Sequence, residues 1–168
     1  VLGDTIEQIA YEKAGIIKPG IPVFVGFQPQ ETRTIFTDTA RERGAPLSFL
    51  EEELESLEVS LSATSTACTV KLRGLEPASF RLALLGGFQA ENAALAYLAL
   101  RRMRPGIPPE ACVRSFATAI LPGRMEVVGT SPPIVLDGAH TPLAVSRLVS
   151  SFRAIFPAEG VLIFGSVA

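Results

Sequence analysis

The sequence has few of the features that mark secreted, membrane-spanning or nucleic-acid-binding proteins. Only two of its 168 residues are cysteines, too few for a secreted scaffold built on disulfides. Its longest apolar runs fall well short of the roughly 20 residues needed to cross a bilayer. The 15 basic and 17 acidic side chains leave a net charge of −2, so no positive excess favours nucleic acid or an acidic membrane. We therefore expect neither nucleic acid nor membrane among its partners.

A phosphate-binding loop and a secretion signal are also missing from these residues. The three lysines are Lys13, Lys18 and Lys71, and none follows a glycine, which excludes a Walker A loop here. The first residues, VLGD, include no initiator Met, basic segment or apolar signal core, so we expect the protein in the cytoplasm. Cys68 and Cys112 lack the spacing of a metal site and are expected to be buried thiols.

What the sequence does have is ample apolar material, 48% of its residues, arranged with alternating helical and strand periods. The order of these patterns predicts an α/β fold. An antiparallel meander is expected in the middle of the chain, and a strand, helix, strand unit is expected after a domain boundary near Leu121. Helices are predicted over 4–13, 34–43, 90–103, 109–119 and 142–156, and strands over 21–27, 47–50, 59–61, 67–73, 80–85, 125–128, 134–136 and 161–164.

Lys13 is the first candidate for chemistry, because the helical period places it on the same stripe as Ile6, Ile9 and Ala10. A functional lysine there would direct its amine toward the apolar side. The alternative is that the stem packs on the stripe while the ammonium reaches water at the helix end, where a cation is favoured. The spacing leaves both readings open.

A second group of candidates follows the proposed boundary and the long Ala-rich helix. Asp137 and His140, the only histidine, come directly after a buried strand, where α/β sheets commonly bind ligands; a turn-forming Asp beside a surface His is the alternative. Arg124 could reach phosphate oxygens across a cleft or form a surface salt bridge. Gln89 and Asn92 could bond an adenine edge or serve as first-turn residues of the helix.

Four segments in order along the chain carry a family resemblance. They are LGDTIEQIAYEKAGIIKPGIPVFVG (2–26), GGFQAENAA (86–94), LPGRMEVV (121–128) and IVLDGAHTP (134–142). With these segments the chain resembles the folylpolyglutamate synthase and dihydrofolate synthase family of Mur-type ligases. The resemblance implies an ATP-dependent amide ligase in which ATP phosphorylates a carboxylate of a pteroate or folate and the amine of glutamate attacks the acyl phosphate.

The resemblance also implies roles for the candidate residues, with ATP and Mg²⁺ as cofactors. Lys13 matches a lysine that becomes carbamylated, which would turn a cation into a carboxylate-like group near a magnesium ion. Arg124 matches a phosphate-contacting arginine, Asp137 and His140 a ribose-contacting pair, and Asn92 an adenine contact. Folate or dihydropteroate and glutamate are the implied small-molecule substrates.

In domain terms, the resemblance implies that residues 1–120 are the end of a P-loop-type central domain with a small antiparallel subdomain. Residues 121–168 would then begin a Rossmann-like C-terminal domain. Phe88 and Thr141 depart from the family, which usually has His and Asn there. A fragment of this kind is expected to be inactive alone and to self-associate through its C-terminal half. A peptidoglycan-precursor ligase and a non-catalytic interaction module remain as alternatives.

Overall fold

A computed structural model describes residues 5–157 and 159–165 of the chain. The α/β class is confirmed, with six helices and seven strands among these residues. None of the described helices is long and apolar enough to cross a membrane. The helices are α1 Ile6–Ala14, α2 Gln30–Glu42, α3 Leu50–Glu53, α4 Gly87–Met103, α5 Pro109–Thr118 and α6 Pro142–Ile155. The strands are β1 Val23–Val25, β2 Leu47–Phe49, β3 Leu54–Leu61, β4 Thr66–Leu72, β5 Ala78–Leu82, β6 Glu126–Thr130 and β7 Pro133–Leu136.

The N-terminal part is a parallel strand pair joined by a helix. The strands β1 and β2 pair in parallel, as a crossover through α2 requires. The helix α1 begins with a capping box in which Thr5 accepts the Gln8 N–H and the Gln8 side chain accepts the Thr5 N–H. Ala10 and Ala14 of α1 pack with Phe36 of α2 in the core of this part.

The middle part is the antiparallel meander that the period-two patterns predict. Its strands run in the order β3, β4, β5, and the larger core of the molecule lies between this sheet and the helices α4 and α5. Tyr97 of α4 is 1% exposed and meets the ring of Phe80 edge-on at 5.2 Å. Full burial of one such side chain contributes about 1.5–3 kcal/mol. Cys68 and Cys112 belong to the same core, which confirms them as buried thiols.

The C-terminal part is a β-hairpin followed by α6. Only Ser131 and Pro132 separate β6 from β7, so the two strands pair antiparallel. The helix α6 packs on α4 and β3, and Arg147 bonds to Glu91 at 2.6 Å. No strand forms over 161–164 in the described chain, so the expected strand, helix, strand unit is not completed there. A strand requires a paired neighbour, and this segment has none among the described residues; Val161 is 92% exposed.

Candidate functional site

The turn that opens α4 carries the first group of candidate residues. Gly86 has φ of 108°, and its buried N–H donates to the Thr66 hydroxyl of β4 at 3.0 Å. The side chain of Asn92 is exposed and donates through Nδ2 to Oε1 of the buried Gln89 at 3.2 Å. The Asn92 amide is therefore exposed to solvent, and the buried Gln89 amide holds it in place.

Arg124 lies in a tight loop before β6 and is exposed. Gly123 has φ of 67°, its N–H donates to the Glu126 carboxylate at 2.9 Å, and its carbonyl accepts the Gly138 N–H at 2.9 Å. A Cβ on Gly138 would lie 2.6 Å from Nη1 of Arg124, so glycine is required for the guanidinium to rest there. The loop thus places a permanent positive charge directly over the backbone that follows β7.

Asp137 and His140 are brought to the same place by the end of β7. Both oxygens of the half-buried Asp137 carboxylate accept backbone N–H groups, Oδ1 from Ala139 at 2.7 Å and Oδ2 from Met125 at 2.8 Å. The ring nitrogen Nδ1 of the exposed His140 lies 2.9 Å from the Gly138 carbonyl. Because a carbonyl can only accept, Nδ1 carries the hydrogen of this bond, which orients the ring and makes Nε2 its outer nitrogen. Asp137 is thus a turn-forming residue, and its outer lone pairs stay available to a hydroxyl.

Met125 joins the two groups of residues. Its N–H is held by Asp137, and its side chain is 1% exposed. On the other side, a Cβ added to Gly86 would lie 3.0 Å from the Met125 sulfur and 2.7 Å from the ring of Phe88. The Gln89–Asn92 group and the Arg124–Asp137–His140 group therefore meet across one buried thioether, which we call the Met125 bridge.

Lys13 lies apart from this cluster. It is exposed, not directed into the core, because the buried stripe of α1 runs through Ala10 and Ala14 to Ile17, and Lys13 only flanks it. This exposure agrees with a solvated ammonium at the end of the helix, where a cation is favoured. The side chain lines a cavity of about 330 Å³ whose other lining residues are apolar or glycine: Ile16, Ile17, Val23, Phe24, Val25, Gly26 and Phe36.

The cavity and the helix α4 are neighbours through Gly26. A Cβ on Gly26 would lie 3.5 Å from Leu95 of α4. The first segment of the family resemblance, which ends at Gly26, is thereby connected to the helix that carries Gln89 and Asn92.

Sequence reasoning missed three residues that shape the cluster, namely Thr66, Met125 and Gly138. The Gly138 signal was available, since glycine after an Asp at a strand end often marks close backbone approach. Nothing local indicates that Thr66 accepts the Gly86 N–H, because 20 residues separate them. The departure at Thr141 has a structural explanation: its hydroxyl accepts the Ala144 N–H at 3.3 Å and caps α6, as Asn could also do.

Comparison with known proteins gives a consistent result. No protein-family model matches the chain. A dihydrofolate synthase/folylpolyglutamate synthase of Bacillus subtilis is 34% identical over an alignment of 168 positions, gaps included. The alignment covers 93% of this chain and 37% of the relative. The family resemblance seen in the four segments is thereby confirmed.

Solved structures agree with the sequence comparison. A complex of a folylpolyglutamate synthase with AMPPCP and folate superposes with a TM-score of 0.84 at 26% identity, covering 94% of this chain and 40% of that one. The folylpolyglutamate synthase of Mycobacterium tuberculosis complexed with ADP gives a TM-score of 0.81, also at 26% identity, covering 90% of this chain and 35% of that one. This chain spans about two fifths or less of the proteins it matches.

Proposed function

In sequence and in fold this chain is a relative of folylpolyglutamate synthases and dihydrofolate synthases, and from that relationship we propose that it supplies part of an ATP-dependent folate:glutamate ligase. Within it, residues 1–120 would belong to the central ATPase domain and 121–168 to the C-terminal domain. The observation that carries the proposal is the grouping of Asn92, Arg124, Asp137 and His140 around the Met125 bridge.

Each member of the group has chemistry that suits one portion of a nucleotide. The guanidinium of Arg124 would pair with phosphate oxygens, which match its planar donors and neutralise its charge. Nε2 of His140 and the outer lone pairs of Asp137 would accept ribose hydroxyl hydrogens. The Asn92 amide, fixed by Gln89, would bond an adenine edge. The exposure of Arg124, His140 and Asn92 leaves these groups accessible to a ligand.

The proposed reaction has two steps. A carboxylate oxygen of the pteroate or folate attacks the terminal phosphorus of ATP, so that an acyl phosphate forms and ADP leaves. The neutral amine of glutamate then attacks the acyl carbon, phosphate leaves, and a proton is lost as the amide forms. Arg124 would help by holding the phosphates and by offsetting the charge that develops on them during transfer.

The residues around Lys13 do not by themselves fit a magnesium ion. The cavity lining contains no carboxylate, and no group of three or more His, Cys, Asp or Glu suited to a metal lies within residues 5–157 and 159–165. Oxygen ligands are what magnesium requires, so we derive no catalytic step through a metal here. The accessible amine of Lys13 is consistent with carbamylation, which remains part of the proposal.

We further propose that residues 1–168 alone do not form folylpolyglutamate, because the sequence contains no Gly-Lys pair and therefore no Walker A motif to cradle a triphosphate. The measurement is release of ADP by the purified chain in the presence of a folate, with and without glutamate. Glutamate-dependent release above a no-enzyme blank would contradict this part of the proposal.

Nucleotide contact is tested by NMR titration, which detects weak binding in a chain of 17.9 kDa. With ¹⁵N-labelled protein and MgADP, we expect saturable shifts in the Asn92 side chain and the His140 amide. Arg124→Ala should weaken the response about tenfold, as loss of a charged hydrogen bond does. Arg104→Ala is the matched control, since Arg104 is exposed at the end of α4. No saturable shift at millimolar MgADP, or equal effects of both variants, would refute the assignment.

A further inference from the structure

The backbone of Met125 has an unusual conformation that the family resemblance does not explain. Its φ is 46°, and it is the only residue other than glycine with positive φ in the described part of the chain. A side chain in this region brings Cβ close to the following carbonyl, so the conformation persists only where its surroundings impose it. Those surroundings lie on two sides of the residue.

On one side, the residues after β7 hold the loop. The Met125 N–H donates to Oδ2 of Asp137, while Gly123, two positions earlier, accepts the Gly138 N–H. Arg124 is therefore placed between two left-handed residues, each tied to the segment that follows β7. Its backbone position is fixed before any ligand is present.

On the other side, the thioether packs on the turn that opens α4. The contact is at Gly86, whose N–H is held by Thr66 and whose carbonyl accepts the Gln89 N–H at 3.0 Å. Gln89 in turn fixes Asn92. A shift of the Met125 side chain therefore changes the packing at Gly86, whose carbonyl holds Gln89 and, through it, Asn92.

We propose that Met125 is a positioning residue that aligns the Gln89–Asn92 group with the Arg124–Asp137–His140 group. The proposal rests on the proposed function in assigning both groups to one nucleotide. Met125 itself needs no contact with the ligand, because its role is to keep the spacing between the two groups. Asp137 acts through it, since the carboxylate fixes the backbone that aims the thioether at Gly86.

The test compares Met125→Ala with Met125→Leu and with Met103→Ala, the control at the only other methionine, which is 50% exposed. The full 168-residue chain is used. Amide hydrogen exchange at Gly86 and Gln89, and the MgADP titration, are measured by NMR. Met125→Ala should speed exchange at these amides and weaken MgADP binding, each about tenfold. Met125→Leu should keep the exchange rates and the MgADP affinity within about threefold of wild type, because it preserves the buried volume. Met103→Ala should change neither quantity.

Unchanged exchange at Gly86 and Gln89 in Met125→Ala would overturn the proposal. So would faster exchange with unaltered MgADP affinity, because the residue would then be structural only. If wild type binds no MgADP while the exchange effect remains, the nucleotide assignment fails but the coupling between the two groups stands.

Should Met125→Ala not fold, Asp137→Asn gives the same answer. The Asn amide keeps one acceptor oxygen and loses the other, and the two hydrogen bonds that the Asp137 carboxylate accepts come from Met125 and Ala139 rather than from Gly86. Faster exchange at Gly86 in this variant would support transmission through Met125, and exchange equal to wild type would overturn it.

Discussion

A sharp test of the structure is to add one methyl group at Gly86 and, separately, at Gly74. Both glycines have positive φ, 108° and 68°, so an alanine strains the backbone at either position. They differ in their surroundings. A Cβ on Gly86 would lie 2.7 Å from the Phe88 ring and 3.0 Å from the Met125 sulfur, whereas a Cβ on Gly74 would meet nothing within 4 Å.

The two costs follow from this difference. Left-handed strain at Gly74 should lower the free energy of unfolding by about 1–2 kcal/mol. At Gly86 the backbone lies in a region that only glycine normally adopts, with a strain of about 1–3 kcal/mol. The forced repacking of Phe88 and Met125 adds about 1–3 kcal/mol. We therefore expect a loss of about 2–6 kcal/mol for Gly86→Ala.

The assay is thermal and urea unfolding of both variants and wild type, followed by circular dichroism. At about 2–4 °C per kcal/mol for a chain of this size, Gly74→Ala should lower Tm by about 2–8 °C and Gly86→Ala by about 4–24 °C. Equal shifts for the two variants, or a larger one at Gly74, would show that the Phe88 and Met125 side chains do not pack on Gly86 as described.

Three more predictions follow from buried and exposed groups. Thr66→Val should cost about 1–2 kcal/mol, because the buried Gly86 N–H loses its acceptor and the added methyl returns only part of that loss; Thr69→Val, at an exposed hydroxyl pair, should cost less than about 0.5 kcal/mol by urea unfolding. Burial raises the pKa of the Cys68 thiol above its usual value of 9.0, so the free energy of unfolding should not change with this group below that pH and should fall above it. When unfolding is measured against pH, the decrease at alkaline pH should be smaller in Cys68→Ala than in wild type. Val161 and Ile163, 92% and 93% exposed, should promote self-association, so replacing both with Lys should lower the sedimentation coefficient at high concentration, and an unchanged value would refute this.

Much of the fold was predictable because its signals are local. The Thr5–Gln8 capping box and the alternating pattern of β4 each depend on residues a few positions apart, and both are present in the structure. The segment at 161–164 shows the limit. Its apolar β-branched residues predict a strand, but whether a strand forms depends on a neighbouring chain segment that no local pattern specifies.

In the candidate site, too, some features have local sequence signals and others depend on contacts made only in the folded chain. Arg124 and Asp137 come close because β6 and β7 form an antiparallel hairpin, in which the residues before the first strand lie beside those after the second. For Lys13 the apolar spacing left two readings open, and only the folded chain shows that the side chain is exposed beside a buried stripe through Ala14 and Ile17. The conformation of Met125 was beyond prediction, since methionine has no preference for left-handed backbone and only the folded contacts impose it.

The two methionines should differ in how readily they are oxidised. Peroxide converts an accessible thioether to a sulfoxide, a polar group that a packed interior does not accommodate. Met103 is half exposed and open to attack, whereas Met125, at 1% exposure, is shielded as long as the turn at Gly86 stays closed. The amount of sulfoxide formed at Met125 would therefore measure how often the Gln89–Asn92 group separates from the Arg124–Asp137–His140 group. A sulfoxide at Met125 would keep the two groups apart until a methionine sulfoxide reductase removed the oxygen.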